Sequence, residues 1–320
     1  MRERRAVQVE KGSLEELMNQ RTGTRVTVIG LNLRAAALAR ALAAAGDAVT
    51  VWDEVGTLSE APSAEDVSRA DSLQAAITAA SLIVVCVDDY DSVQRVLRRA
   101  DPHVTSADVV NLTSGTSAQA EQVAAWMDAR GVRYLDGALM AHPEHVGRPE
   151  TVLVYSGSHE VFERHEAALR HLGAATYLGA SPGTAALYDV AMLNFAWATL
   201  IGFLQTAALL AAAQVPATTV APLLTRWLAA TVTEVITDYA QQVDDRHYPG
   251  DDEWLELDAP LMDHLIEAAR ASYIDTSLPV LIKSLTDQGI AAGHGKDSFA
   301  SLVEVIRGPG RPPRSRRSPW

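Results

Sequence analysis

The stretch RVTVIGLNLRAAALARALAAA, residues 25–45, decides how the chain is read. Arg25–Ile29 is a short run dominated by β-branched residues. Gly30 ends it, and strong helix formers fill Ala35–Ala45. A strand that turns through a glycine into a helix is the opening unit of a dinucleotide-type sheet. The pattern repeats outward from there. Strands are predicted at Arg25–Ile29, Val49–Trp52, Leu82–Val87, Val109–Leu112, Arg133–Ala138 and Thr151–Ser156. Helices are predicted between them at Ala35–Ala45, Val93–Arg99, Ser117–Arg130 and His159–His171. That alternation predicts an α/β fold with a doubly wound parallel sheet.

The remainder divides around this sheet. Residues 1–22 form a polar leader, with one short helix expected at Ser13–Gln20. The sheet domain occupies 23–181, a long interdomain helix 182–213, and an all-α domain 214–308. Pro216, Pro222, Pro249 and Pro260 are expected at breaks between its helices. The tail 309–320, PGRPPRSRRSPW, is Pro/Arg/Ser-rich and is expected to be disordered.

Composition narrows the function classes. The chain has 320 residues, 48% hydrophobic and 21% charged, as in ordinary globular proteins. Its formal net charge of −13 argues against a nucleic-acid partner and suits a neutral or cationic small molecule. The single cysteine, Cys86, excludes a disulfide framework and any cysteine-based zinc site. It falls in a predicted strand and reads as inert core. No apolar signal-type stretch opens the chain, so a cytoplasmic location is expected.

Phe195–Ala213, FAWATLIGFLQTAALLAAA, has the length of a membrane span. It lacks flanking basic clusters, is punctuated nearby by Asp189, Asn194 and Gln205, and is rich in small residues. No membrane is therefore expected. A helix apolar all round is a buried helix, and in a chain of this size that predicts a dimer wrapped around it.

Four motifs carry chemistry. At the first turn a dinucleotide fold needs G-x-G-x-x-G/A, and the chain offers Gly30-Leu31-Asn32-Leu33-Arg34-Ala35. Asn32 replaces the middle glycine, and its side chain is expected to point where the pyrophosphate lies; Arg34 pairs with a phosphate or blocks it. The second strand ends at Trp52, and Asp53 and Glu54 follow. An acid there accepts hydrogen bonds from the ribose hydroxyls of NAD, whereas NADP needs a cation. The strand ending at Val87 leads into Asp88, Asp89 and Tyr90 on the same side. Asn111-Leu112-Thr113-Ser114-Gly115 closes another strand at the ligand edge of the sheet. Finally Asp189 is the one charge on the long apolar helix. Burying a lone carboxylate costs several kcal/mol unless it is partnered or holds its proton, which marks it as a site candidate.

NLTSGT, YLDGALMA, PETVLVYSG, YLGASPGTAALYD and GFLQTAALL together resemble the imine reductases of the β-hydroxyacid dehydrogenase superfamily. YAQQVDD, HYPGDD, MDHLIEA and AAGHGKDSFASL extend the likeness over about residues 25–307. The resemblance implies an N-terminal Rossmann domain, a long interdomain helix and a helical C-terminal domain exchanged in a homodimer. It implies hydride transfer from NADPH or NADH to a cyclic imine or iminium, in secondary metabolism. Asp189 falls where one branch of the family keeps Asp, as the group that donates a proton to nitrogen or balances its charge. Leu193 and Trp197, at i+4 and i+8, would line the substrate with Trp227, Tyr239, Gln242 and Tyr248, which match by region. Gly30, Leu31, Asn32, Leu33, Arg34, Asp53, Val87, Asn111, Thr113 and Ser114 would hold the cofactor. The partners implied are a small amine or imine substrate and a second copy of the chain.

Departures from the family keep other readings open. Its loop reads close to GLGxMG, here GLNLRA; its strand end reads VWNRT, here VWDEV. Both changes remove contacts to NADPH, so cofactor binding is expected to be weakened or lost. A stretch close to MAVPPMIG is here MAHPEHVG, which brings in His142 and His145 as proton handlers; no metal site is expected. One alternative is a redox-neutral enzyme using Asp189, with His142 or His145, for acid–base chemistry. Another is a non-catalytic homologue that binds a ligand or partner. The acidic run Asp238–Asp258 would draw cationic substrates or simply be solvated.

Overall fold

A computed structural model describes residues 23–30, 32–54, 67–78, 80–100 and 107–308. The expected leader helix at Ser13–Gln20 and the expected disordered tail lie outside them. The chain divides into two compact units, Met1–Phe195 and Ala196–Trp320, with the division inside the long helix.

The first unit is built on an eight-stranded sheet in the order β3-β2-β1-β4-β5-β6-β7-β8. The strands are β1 (Arg25–Ile29), β2 (Ala48–Trp52), β3 (Val67–Arg69), β4 (Leu82–Val85), β5 (Asp108–Asn111), β6 (Tyr134–Met140), β7 (Val152–Gly157) and β8 (Ala174–Tyr177). The helices are α1 (Leu33–Ala44), α2 (Leu73–Thr78), α3 (Tyr90–Ala100), α4 (Ser117–Asp128) and α5 (His159–Arg170). Central strands are apolar on both faces because helices cover both. In β4, Leu82 and Val84 face α1 and α5, while Ile83 and Val85 face α3 and α4, and all four are fully buried. Each such side chain is worth about 1.5–3 kcal/mol in burial.

The sheet is not parallel throughout. Strands β6 and β7 pair antiparallel, with Met140 opposite Val152 and Leu135 opposite Gly157. Their connection, residues 141–151, holds only one turn of 3-10 helix at Pro143–His145. A parallel partner would need a full crossover, which this loop is too short to make. Two short strands, β3 and β8, and the helix α2 add to the expected elements.

An ion cluster fixes the start of β5. Asp108 is buried and accepts hydrogen bonds from Arg133 (2.5 Å), Arg164 (2.8 Å) and His165 (2.8 Å). Burial raises its carboxyl, but these donors outweigh that and hold it down at about 2.

Helix α6 runs unbroken over Gly183–Ala212. Its first two turns are built into the first unit. Ser156 on β7 accepts from Ala185 N (2.8 Å) and donates to Pro182 O (3.0 Å), while Ser117 donates to Gly183 O (2.8 Å). Gly183, Ala185, Ala186 and Asp189 are its buried residues. Beyond them the expectation of all-round burial is not met within one chain: Phe195 and Trp197 are 61% and 64% exposed. By length and composition the helix is also sufficient to cross a membrane.

The second unit holds α7 (Ala217–Trp227), α8 (Thr233–Asp245), α9 (Leu255–Ala271), α10 (Ser277–Gly289) and α11 (Leu302–Ile306). Pro216 caps α7 and Pro249 lies in a loop, as expected, but Pro222 and Pro260 lie inside helices. Each removes one backbone hydrogen bond within the first two turns, and the adjacent bonds carry the helix past it. The α9–α10 pair encloses Gly289 against Leu255 and Leu302. Leu223, Trp227, Leu261 and Leu281 remain more than half exposed.

Candidate functional site

In this sheet β1 neighbours both β2 and β4, so the strand order reverses beside it. The crevice outside the strand ends at such a reversal is where ligands bind. Gly30 makes the turn possible: its φ is +107°, and a Cβ there would collide with the carbonyl of Cys86. Its N–H donates to Trp52 O at 3.0 Å, tying the ends of β1 and β2.

Asn32 takes a structural part at the start of α1. It is the N-cap of α1, and its Oδ1 accepts from Ala35 N at 2.9 Å. Its Nδ2 donates to Cys86 O (3.3 Å) and Asp88 Oδ1 (3.4 Å). The amide thus bonds to the helix's own first turn and to the end of β4 while lining the cleft. Leu31 lies outside the described residues, and Leu33 is 75% exposed. Gly30, Asn32, Asp53 and Val87 come together around a cleft of about 260 Å³ with Trp52, Glu54, Ser92 and Arg95.

Arg34 turns toward the β5 end, where its Nη1 donates to Ser114 Oγ at 3.4 Å. The Ser114 hydroxyl and the Arg34 charge both act on the Asp189 carboxyl, favouring its ionised form. Asp189 is only 2% exposed. Burial pushes its carboxyl above the ordinary range, and the Ser114 hydrogen bond and the Arg34 charge pull against that. One residue from each of three elements — the α1 start, the β5 loop and α6 — therefore meets at this carboxyl. Asn111 and Thr113 lie beneath them and are buried. Asn111 accepts from Thr113 N (3.1 Å), and Thr113 Oγ1 accepts from Val87 N (3.1 Å). They brace the loop that carries Ser114.

A second buried carboxyl was not singled out by sequence. Asp136 on β6 is fully buried; its Oδ1 accepts from Tyr90 (2.7 Å), Tyr134 (2.8 Å) and Asn111 (3.3 Å). Its Oδ2 has no partner. Burial raises it to about 7 against the pull of those three donors, and the charge of Asp189 adds to the rise. The Tyr90 ring also lies against Gly115, where any Cβ would collide with it. Asp136 thus supports the same loop from below. A strand reading D-G resembles a turn, which hid its role. Cys86, buried, has its thiol pushed up to about 11, consistent with an inert core position.

His142 and His145 are not joined to this group. Both are exposed, their rings stand 6.4 Å apart edge to face, and no hydrogen bond or ion pair links either to Asp189. The adjacent loop packs on α1, with Gly147 against Ala41. Leu193, on α6, is 39% exposed.

In the second unit, Trp197 and Trp227 are exposed, whereas Gln242 and Tyr248 are buried. Gln242 donates to Asp238 (2.7 Å) and accepts from Ser298. Tyr248 donates to Glu304 (2.6 Å). Tyr239 is half-buried, and burial with the charges of Glu253, Asp258 and Asp238 pushes its hydroxyl up to about 12.

Residues 25–179 match the NAD binding domain of 6-phosphogluconate dehydrogenase, and residues 181–308 match the NADPH-dependent reductive aminase-like C-terminal domain. An NADPH-dependent reductive aminase of Aspergillus oryzae is 32% identical over 287 residues, covering 88% of this chain and 97% of that protein. The chain belongs to the reductive aminase and imine reductase family. Among solved structures, a reductive aminase from Aspergillus terreus in complex with NADPH and ethyl levulinate superposes with a TM-score of 0.83. It is 32% identical, over 89% of this chain and 100% of that one. A variant imine reductase from Myxococcus stipitatus in complex with NAD+ gives a TM-score of 0.80 at 30% identity, over 89% and 100% of the two chains. The family's sheet and helical domains are therefore both present.

The Asp136 geometry has a pH consequence. A raised carboxyl keeps its proton in the folded chain where the unfolded chain releases it, so its stabilising effect is present below about pH 4 and lost as pH rises to about 7. Asp136→Asn keeps an acceptor for both tyrosines and cannot ionise. Denaturant unfolding at pH 4 and pH 8 should show the variant gaining about 3 kcal/mol relative to wild type across that interval. An unchanged difference at the two pH values would contradict the assignment.

Proposed function

We propose that this protein is an oxidoreductase that reduces a carbon–nitrogen double bond with a nicotinamide cofactor, Asp189 being its catalytic carboxyl. The buried Asp189–Ser114–Arg34 group carries this reading. The first unit supports a dinucleotide on its own geometry: the Gly30 turn brings backbone close, Asn32 caps α1, and a cleft opens at the strand reversal. Gly30, the N-terminus of α1 and Arg34 would hold the phosphates, and Asp53 the ribose. When bound, the cofactor supplies a hydride to the imine carbon.

The chain's own residues manage the nitrogen. Adding hydride to C=N leaves nitrogen one proton short of an amine, or consumes the positive charge of an iminium. A carboxyl with its affinity for the proton raised by burial can deliver that proton; once ionised it attracts a cationic nitrogen. Ser114 stabilises the ionised form by donating to it, and Arg34 opposes its charge. Leu193, Trp197, Trp227, Tyr239, Gln242 and Tyr248 are the residues we assign to the substrate walls, and the exposed tryptophans suit a cationic or apolar amine. The redox-neutral alternative with His142 or His145 gains no support, since neither is joined to the Asp189 group by a hydrogen bond or ion pair among the described residues.

We also propose that a second copy of the chain covers α6, in a cytoplasmic homodimer that engages neither membrane nor nucleic acid. The exposed apolar length of α6 and the sparse core of the second unit support this. A sedimenting single chain at micromolar concentration would contradict it.

Asp189→Asn removes the proton and the charge while keeping the shape. Imine reduction should fall by about 10²–10⁴-fold, while dinucleotide binding, read by quenching of tryptophan fluorescence, stays within about threefold. Full activity in the variant would overturn the assignment.

A further inference from the structure

The end of the cleft beside β2 is acidic. Asp53, Glu54 and Asp88 line it, and among the described residues Arg95 is its one cationic lining residue. Arg95 is already engaged: its Nε donates to Glu54 Oε2 at 3.1 Å and its Nη2 to Ser92 Oγ at 2.8 Å. Glu54 also binds Arg99, whose guanidinium lies 5.8 Å from the Trp52 ring centre. Arg69, on the neighbouring strand β3 opposite Val51, does not line the cleft. Asp53 is half-buried, directly after the last residue of β2, and is part of no ion pair among the described residues.

A ribose with both hydroxyls free offers donors to Asp53. A 2′-phosphate offers only negative charge to a rim already holding three carboxylates. To meet it, Arg95 would have to leave Glu54. We infer that this chain is selective for NADH over NADPH, with Asp53 as the ribose acceptor and Glu54 as the lock that withholds Arg95 and Arg99 from a phosphate. The inference rests on the proposed dinucleotide binding and specifies which dinucleotide is taken.

The selectivity is a difference of affinities, so it is read directly as binding. Titration calorimetry of the full-length protein with NADH and with NADPH should give at least tenfold tighter binding of NADH. Asp53→Asn should weaken NADH about tenfold or more, the range of a charge-assisted hydrogen bond, and move NADPH little or tighten it. Glu54→Gln should tighten NADPH at least tenfold by freeing both arginines, and leave NADH within threefold. Thermal melts of both variants within a few degrees of wild type establish that they fold; the wild-type ratio needs no variant at all. NADPH binding as tightly as NADH to wild type, or a Glu54→Gln effect equal on both, overturns the selectivity alone. Binding of neither overturns the dinucleotide reading and the selectivity together.

Discussion

One carboxyl group, Asp189, buried two turns into a long helix, sets the conditions that the rest of this structure meets. An ionisable group removed from water demands either a proton or partners. Ser114 and Arg34 are the partners here, and each is delivered by a different strand end of the sheet. The loop bearing Ser114 holds its shape because Asn111 and Thr113 are pinned to each other and to Val87. The start of the helix holds its place because Ser156 and Ser117 grip its first backbone groups. The sheet thereby fixes a single side chain to within hydrogen-bond tolerance.

Much of the frame was legible because its physical causes are local. Arg25–Ile29 reads as a strand, Gly30 as a turn that only glycine fits, and the alanine-rich run as a helix, and the structure places each there. Strand direction is not local: residue alternation is the same for both senses, so the antiparallel β7 emerges only from the short loop before it. Edge strands such as Val67–Arg69 and Ala174–Tyr177 are too brief to show a period. Pro222 and Pro260 read as breaks, yet a proline within the first two turns removes one bond and no more.

The site was legible in part. Asp189 stands out because it is a lone charge in an apolar helix. Asn32 was read by position alone, and its capping bond to Ala35 was not anticipated. Asp136 was hidden because its bonds from Tyr90 and Asn111, both distant in sequence, leave no pattern along the chain. The pairing of Glu54 with Arg95 and Arg99 was hidden likewise: an arginine-rich helical face usually means a solvated one. In each case the missed feature is a side-chain partnership that residue type and spacing do not announce.

The account depends most on Asp189 having a raised proton affinity that Ser114 restrains. A direct measurement is the ¹³C titration of the Asp189 carboxyl in selectively labelled protein, for wild type and Ser114→Ala. The account predicts a midpoint above the ordinary aspartate range in wild type, moving higher still in the variant as a stabilising donor is lost. A midpoint in the ordinary range, or one indifferent to Ser114, would contradict it.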